Sequence, residues 1–172
     1  MVRVLFVCFA NICRSPTAEG VFRKLVADAG LDTCIEACSA GTHAWHVGAL
    51  ADPRATGAAR RRGYDLSMHR GRRVEASDFD EFDYVLAMDR DNLRDLQVVA
   101  SGVRASDDGA CRAEVGMFLE FAPAVKFDEV PDPYARGDEG FELVIDMIES
   151  AAEGLLEHIR RRDLAGECST SR

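Results

Sequence analysis

The sequence predicts an α/β fold, one domain built on a four-stranded parallel sheet with helices packed on both faces. Three observations carry this expectation. Short, continuously apolar runs alternate with longer segments whose apolar residues recur at helical spacing, the pattern of a parallel sheet covered on both sides. The length, 172 residues, suits a single core. No internal repeat and no linker-like shift in composition divides the chain.

The first apolar run, residues 2–7, is β-branched and continuously hydrophobic after Arg3, as a strand buried on both faces should be. A polar loop, 8–14, leads into a helix. There Ser15 is placed to cap, Pro16 suits the first position, and Ala18, Val21, Phe22, Leu25, Val26 and Ala29 share a face before Gly30. A second strand is expected over 34–40, with Ile35 and Ala37 on one face and Cys34, Glu36 and Cys38 on the other. After a loop rich in Gly, His and Trp, Asp52 and Pro53 open a helix that Gly63 stops.

Residues 82–89 read as a third buried strand, and Asp89 caps a helix carrying Leu93, Leu96 and Ala100 on its inner face. A fourth strand is expected over 114–118, preceded by a polar stretch at 101–109 that reads as a mobile loop. The last helix turns Phe141, Val144, Ile148, Ala152, Leu155 and Ile159 inward. The domain is expected to span 1–162, with 163–172 as a flexible tail.

Composition narrows the function classes. With 47% hydrophobic and 30% charged residues the chain is an ordinary globular one rather than a disordered one. No uncharged apolar run approaches the roughly 18 residues of a membrane helix. Residues 4–10 imitate a signal core, but Asn11 and Arg14 follow at once and no small-residue cleavage site closes the segment. A formal charge of −9 argues against nucleic acid or anionic membrane as the partner. That charge is uneven. Residues 54–73 hold seven arginines against one acid, Asp65, a local +6 that leaves −15 for the remainder and would steer acidic partners if it formed an open face.

The six cysteines do not resemble a secreted disulfide framework and read as free thiols in a reducing, cytoplasmic compartment. No His or Cys set has zinc spacing, so neither metal nor cofactor is expected. His43 and His46 read as polar loop residues, and His158 as solvent-facing.

In parallel sheets, ligands bind beyond the carboxyl ends of the strands, where the loop after the first strand sits. That loop puts a thiol, Cys8, at the strand end and a guanidinium, Arg14, six positions later before a helix. Inward-pointing backbone N–H groups and the helix dipole favour an oxyanion there, and they favour a thiolate as well. Arg14 can grip two phosphoryl oxygens in a fork. A thiolate held beneath an oxyanion is arranged for attack on phosphorus through a covalent phosphocysteine. The leaving oxygen needs a proton, and Asp132, held between Pro131 and Pro133 at the same sheet edge, offers a carboxylic acid.

The segments VCFANICRSP, SAGTHAWHVG, DPRA, MHRGR, YVLAMD and VPDPY, spread over residues 2–162, resemble the low-molecular-weight protein tyrosine phosphatases, especially their bacterial branch. The resemblance implies Cys8 as nucleophile, Arg14 as phosphoryl binder, Asp132 as general acid and Ser15 as a hydroxyl steadying the thiolate. It implies a left-handed Asn11 bonded to His69, a conformation asparagine tolerates better than most residues. Phe9, Ala10, Ile12 and Cys13 complete the phosphate loop, Trp45 and Tyr134 match its aromatic walls, and a reversible disulfide between Cys8 and Cys13 is implied. Ile12 stands where relatives acting on phosphoarginine carry threonine. Two departures are Ala10, where glycine is more usual, and Ala135, where many relatives carry a second tyrosine. Cys34, Cys38, Cys111 and Cys168 are assigned to core or surface.

The expected activity is metal-free hydrolysis of phosphotyrosine in a protein partner, a tyrosine kinase being one candidate, by a monomer. An arsenate reductase of the same fold, a phosphoarginine phosphatase and a non-catalytic phosphoprotein-binding module are the alternatives.

Overall fold

The computed structural model describes residues 1–106 and 112–164. Along the chain run β1 (Val2–Cys8), α1 (Arg14–Asp28), β2 (Ile35–Gly41), α2 (Pro53–Arg61), α3 (Asp78–Glu81) and β3 (Tyr84–Ala87). Then come α4 (Arg90–Ser106), β4 (Glu114–Met117), a 3-10 turn (Phe118–Phe121) and α5 (Gly137–Arg162). The four strands form one parallel sheet in the order β2-β1-β3-β4, with Val4 paired to Ala37 on one side and to Tyr84 on the other.

The alternation of side chains along β1 explains its unbroken apolar run. Val4, Phe6 and Cys8 enter a core with α1 and α5, whereas Leu5 and Val7 enter a second core with α3 and α4. Phe6 lies edge-on to Phe22 and Phe118, with ring centroids 5.6 and 4.9 Å apart. The strand order reverses direction at β1, so the loops leaving β1 and β3 part at their carboxyl ends and open a crevice there.

Several elements differ from their sequence expectation. Ser15 does not cap α1; Cys13 holds the cap position, and Pro16 falls third in the helix rather than first. The Ser15 hydroxyl is turned toward Cys8 instead. The third strand is shorter than 82–89, because Phe82 ends α3 and Asp89 caps α4, its Oδ1 accepting from Asn92 N at 2.7 Å. The polar stretch at 101–109 begins as helix, since α4 continues to Ser106; residues 107–109 lie outside the described residues. His158 is half-buried rather than solvent-facing, with Phe121 and Tyr84 against its ring at 5.2 and 5.9 Å. Cys34 is disulfide-bonded, which corrects the expectation of six free thiols, while Cys8, Cys13 and Cys38 are free. Cys111, Cys168 and nearly all of the expected tail lie outside the described residues.

Candidate active site

The end of β1 delivers Cys8 to the floor of a cleft of ≈ 300 Å³, lined by Cys8, Phe9, Ala10, Ile12, Cys13, Arg14, Trp45, His46, Asp132 and Tyr134. Asn11, Ser15 and His69 stand behind the loop and hold its shape. Asn11 is fully buried at φ 56°, the one non-glycine residue with positive φ among the described residues. Its side-chain amide is fully used: Nδ2 donates to Ser15 Oγ and Ser39 Oγ, both at 2.9 Å, and Oδ1 accepts from Arg72 N at 2.9 Å. These bonds stabilise the left-handed backbone. Its carbonyl meets His69 Nε2 at 2.8 Å, and since a carbonyl can only accept, that nitrogen carries the proton. Arg72 is itself fixed by two 3.0 Å bonds to buried Asp78. Ala10 has negative φ, so its methyl replaces glycine without backbone strain.

Glycine is required at Gly41. A Cβ there would stand 2.9 Å from the Phe9 carbonyl oxygen, so only glycine lets β2 approach the loop.

Ser15 Oγ lies 3.0 Å from Cys8 Sγ and 3.2 Å from the Ala40 carbonyl. One hydroxyl proton serves two acceptors, and a thiolate, being charged, is the stronger. Arg14 is only 4% exposed. Its Nη1 donates to Asp89 Oδ2 at 2.5 Å and to the Val130 carbonyl at 3.0 Å, while its Nη2 faces Asp132 Oδ2 at 3.8 Å. Burial disfavours the Arg14 cation, but Cys8, Asp89 and Asp132 outweigh it and hold its pKa above the ordinary value. Burial also pushes the Cys13 thiol up, to about 12, with Asp52 and Cys8 adding to the effect.

Asp132 lies at the mouth, its side chain 58% exposed. Pro133 beside it is buried and anchors the loop. Asp132 Oδ1 accepts from Tyr134 N at 3.1 Å. An aromatic wall rises opposite: His43 stacks on Phe9 at 4.0 Å, and Trp45 meets Phe9 edge-on at 5.3 Å.

Four contributors escaped sequence reasoning. Asp89 was read only as a cap, although its second oxygen orients Arg14. His43 and His46 were read as loop polarity, although one stacks in the wall and the other lines the cleft. Arg54, inside the DPRA segment, grips the Asp132 loop through the Tyr134 carbonyl at 2.9 Å. The cationic segment at 54–73 is also less open than its count suggests. Arg54 pairs with Asp52, Arg61 and Arg62 with carboxylates of α5, and Arg72 with Asp78. Arg60, Arg70 and Arg73 have no carboxylate partner among the described residues.

A model of the low molecular weight phosphotyrosine protein phosphatases matches residues 3–164. The chain belongs to that family. A low molecular weight protein-tyrosine-phosphatase of Streptomyces coelicolor is 44% identical over 162 residues, covering 93% of this chain and 94% of that protein. The crystal structure of YfkJ from Bacillus subtilis superposes with a TM-score of 0.84 at 37% identity, covering 95% of this chain and 97% of that one. A Drosophila arginine phosphatase superposes with a TM-score of 0.85 at 31% identity, covering 95% and 100%. Membership makes this phosphatase a cysteine-dependent hydrolase. Among the described residues no three His, Cys, Asp or Glu side chains gather to hold a metal ion, and no helix is long and apolar enough to cross a membrane.

Proposed function

We propose that the chain hydrolyses phosphotyrosine in proteins through a phosphocysteine on Cys8. The observation that carries this reading is the Cys8 thiol on the cleft floor, with Arg14 beside it and Asp132 3.8 Å from that guanidinium at the mouth. In the first step the Cys8 sulfur attacks phosphorus, the bond from phosphorus to the tyrosine oxygen breaks, and protonated Asp132 gives its proton to that leaving oxygen. Arg14 and the loop N–H groups hold the three equatorial oxygens. In the second step water attacks the phosphocysteine, Asp132 takes its proton, and the thiolate leaves with release of inorganic phosphate.

An aryl ring suits the slot between Trp45 and Tyr134, and the apolar Ile12 wall offers no polar partner to a phosphorylated guanidinium. A cysteine relay for arsenate has little support, because Cys38 lines other cavities and Cys34 is already bonded. Peroxide would convert Cys8 to a sulfenic acid, whose hydroxyl leaves as water when the Cys13 sulfur attacks the Cys8 sulfur and forms a reversible disulfide. The free thiols of Cys8, Cys13 and Cys38 suit the reducing cytoplasm, the bonded Cys34 being the exception, and the reading is of a monomer acting there on phosphoproteins, tyrosine kinases included.

Turnover of phosphotyrosine, phosphoserine and phosphoarginine peptides in parallel tests the reading. Phosphotyrosine should lead and Cys8→Ser should abolish turnover; activity retained in Cys8→Ser, or a phosphoarginine preference, overturns it.

A further inference from the structure

Trp45 lines a second concavity besides the catalytic cleft. A groove of ≈ 410 Å³ runs from the loop 42–45 past Arg73 and Val74 to Asp95, Val98 and Val99 on α4. Single exposed apolar side chains are ordinary on a protein surface. Here two large ones, Trp45 at 75% and Val98 at 74% exposure, share one groove that borders the cleft at the indole, because Trp45 lines both cavities. The polar lining is largely committed: Thr42 Oγ1 already pairs with His43 Nδ1 at 2.9 Å. Of the two charged residues one is cationic, Arg73, and one anionic, Asp95, and neither is ion-paired among the described residues.

We infer that this groove receives an apolar side chain of the substrate protein, two positions from the phosphorylated residue. The inference rests on the phosphotyrosine reading of the cleft. In an extended chain, side chains two residues apart point the same way and lie about 7 Å from each other. A peptide whose phosphorylated side chain stands over Cys8 therefore carries its next same-facing side chain across Trp45 and into the groove. Charge selects what enters. An acidic side chain meets Asp95 and a basic one meets Arg73, so neither gains a net attraction, while exposed Val98, with half-buried Val99 beside it, offers an apolar surface to a leucine or isoleucine. Partial burial of one such side chain corresponds to about tenfold in kcat/KM.

The test compares phosphotyrosine peptides carrying Leu, Gly, Asp or Lys two residues before or after the phosphotyrosine, with an aryl phosphate as the flank-free control. Wild-type protein should turn over the Leu peptide about tenfold faster than the Gly peptide at one of the two flanks. Val98→Asp, or Val98→Lys as a second variant, should abolish that preference and leave aryl phosphate turnover unchanged, which also reports that the variant is folded. Binding of the same peptides to Cys8→Ser reads the groove independently of turnover. Equal rates and affinities at both flanks overturn the inference, as does a Leu preference that survives both Val98 substitutions, or a preference for the Asp or Lys peptide. Failure of the phosphotyrosine reading appears separately, as absent turnover of the aryl phosphate by wild-type protein.

Discussion

The guanidinium of Arg54 lies over the ring of Tyr134 at 4.9 Å from its centroid, and its Nη1 donates to the Tyr134 carbonyl at 2.9 Å. The same group covers Phe141 at 4.9 Å and is held from below by Asp52, whose carboxyl these hydrogen bonds keep under the usual range. Arg54 thus joins α2, α5 and the loop bearing Asp132. Arg54→Met should let that loop wander, lowering kcat/KM, which reports formation of the phosphocysteine, about tenfold for substrates with poor leaving groups and much less for nitrophenyl phosphate, since in that step only poor leaving groups need the proton. Equal losses across leaving groups would assign Arg54 a structural role only.

Ser15→Ala removes the hydroxyl 3.0 Å from Cys8 Sγ. A hydrogen bond to a charged group is worth about 1.5–3 kcal/mol, so alkylation of Cys8 by iodoacetate at neutral pH should slow by at least about tenfold. An unchanged rate would show that the proton serves the Ala40 carbonyl instead.

Asn11→Ala combines left-handed strain with loss of three side-chain hydrogen bonds. Urea titration should register a loss of about 2–4 kcal/mol. Asn11→Gly relieves the strain but not the lost bonds, and should lie between Asn11→Ala and wild type; if Gly is no better than Ala, the backbone conformation contributes little.

Cys13 sits in the cleft wall with a thiol pushed up to about 12, first by burial and then by Asp52 and Cys8. Disulfide closure onto an oxidised Cys8 should therefore be slow near neutrality and quicken with rising pH. After peroxide in enough excess to carry an unprotected sulfenic acid on to sulfinic acid, which thiols do not reduce, dithiothreitol should restore wild-type activity and fail to restore Cys13→Ser; equal recovery would remove Cys13 from the redox chemistry.

Tyr64 is pushed up to about 12 by burial and its bond to Glu149, and Tyr84 is also raised, by burial and by Asp163. Groups that hold their protons more tightly when folded contribute stability that is complete below their ordinary values, near 9.0 for cysteine and 10.0 for tyrosine, and lost as pH climbs through the folded ones. Tm should thus be level near pH 7 and fall between about 9 and 12, with a shallower fall in Tyr64→Phe. A flat alkaline limb would contradict this.

Local signals made much of this legible. The apolar run of β1, the six-residue step from Cys8 to Arg14 and the proline-flanked Asp132 each lie within a few residues, so periodicity and turn chemistry expose them. What stayed hidden depends on distant partners. Ser15 looks like a cap by local spacing, and only the family resemblance pointed to the thiol that its hydroxyl meets. Arg54 meets Tyr134 across 80 positions, and His158 is half-buried because Tyr84 and Phe121 come to it from far along the chain. The +6 segment misled for a related reason, since charge counts ignore the α5 carboxylates that neutralise Arg61 and Arg62.

The loop that holds Cys8 is synthesised before the residues that support it. Asn11 waits for His69 and Arg72, 58 and 61 positions on, and Arg14 waits for the Val130 carbonyl, 116 positions away. Contacts of such span form late in folding. A chain still on the ribosome therefore cannot complete the Cys8 loop and its supports until Val130 has emerged. Catalytic competence arrives with the completed tertiary structure, and a half-made polypeptide has no means of acting on phosphoproteins nearby.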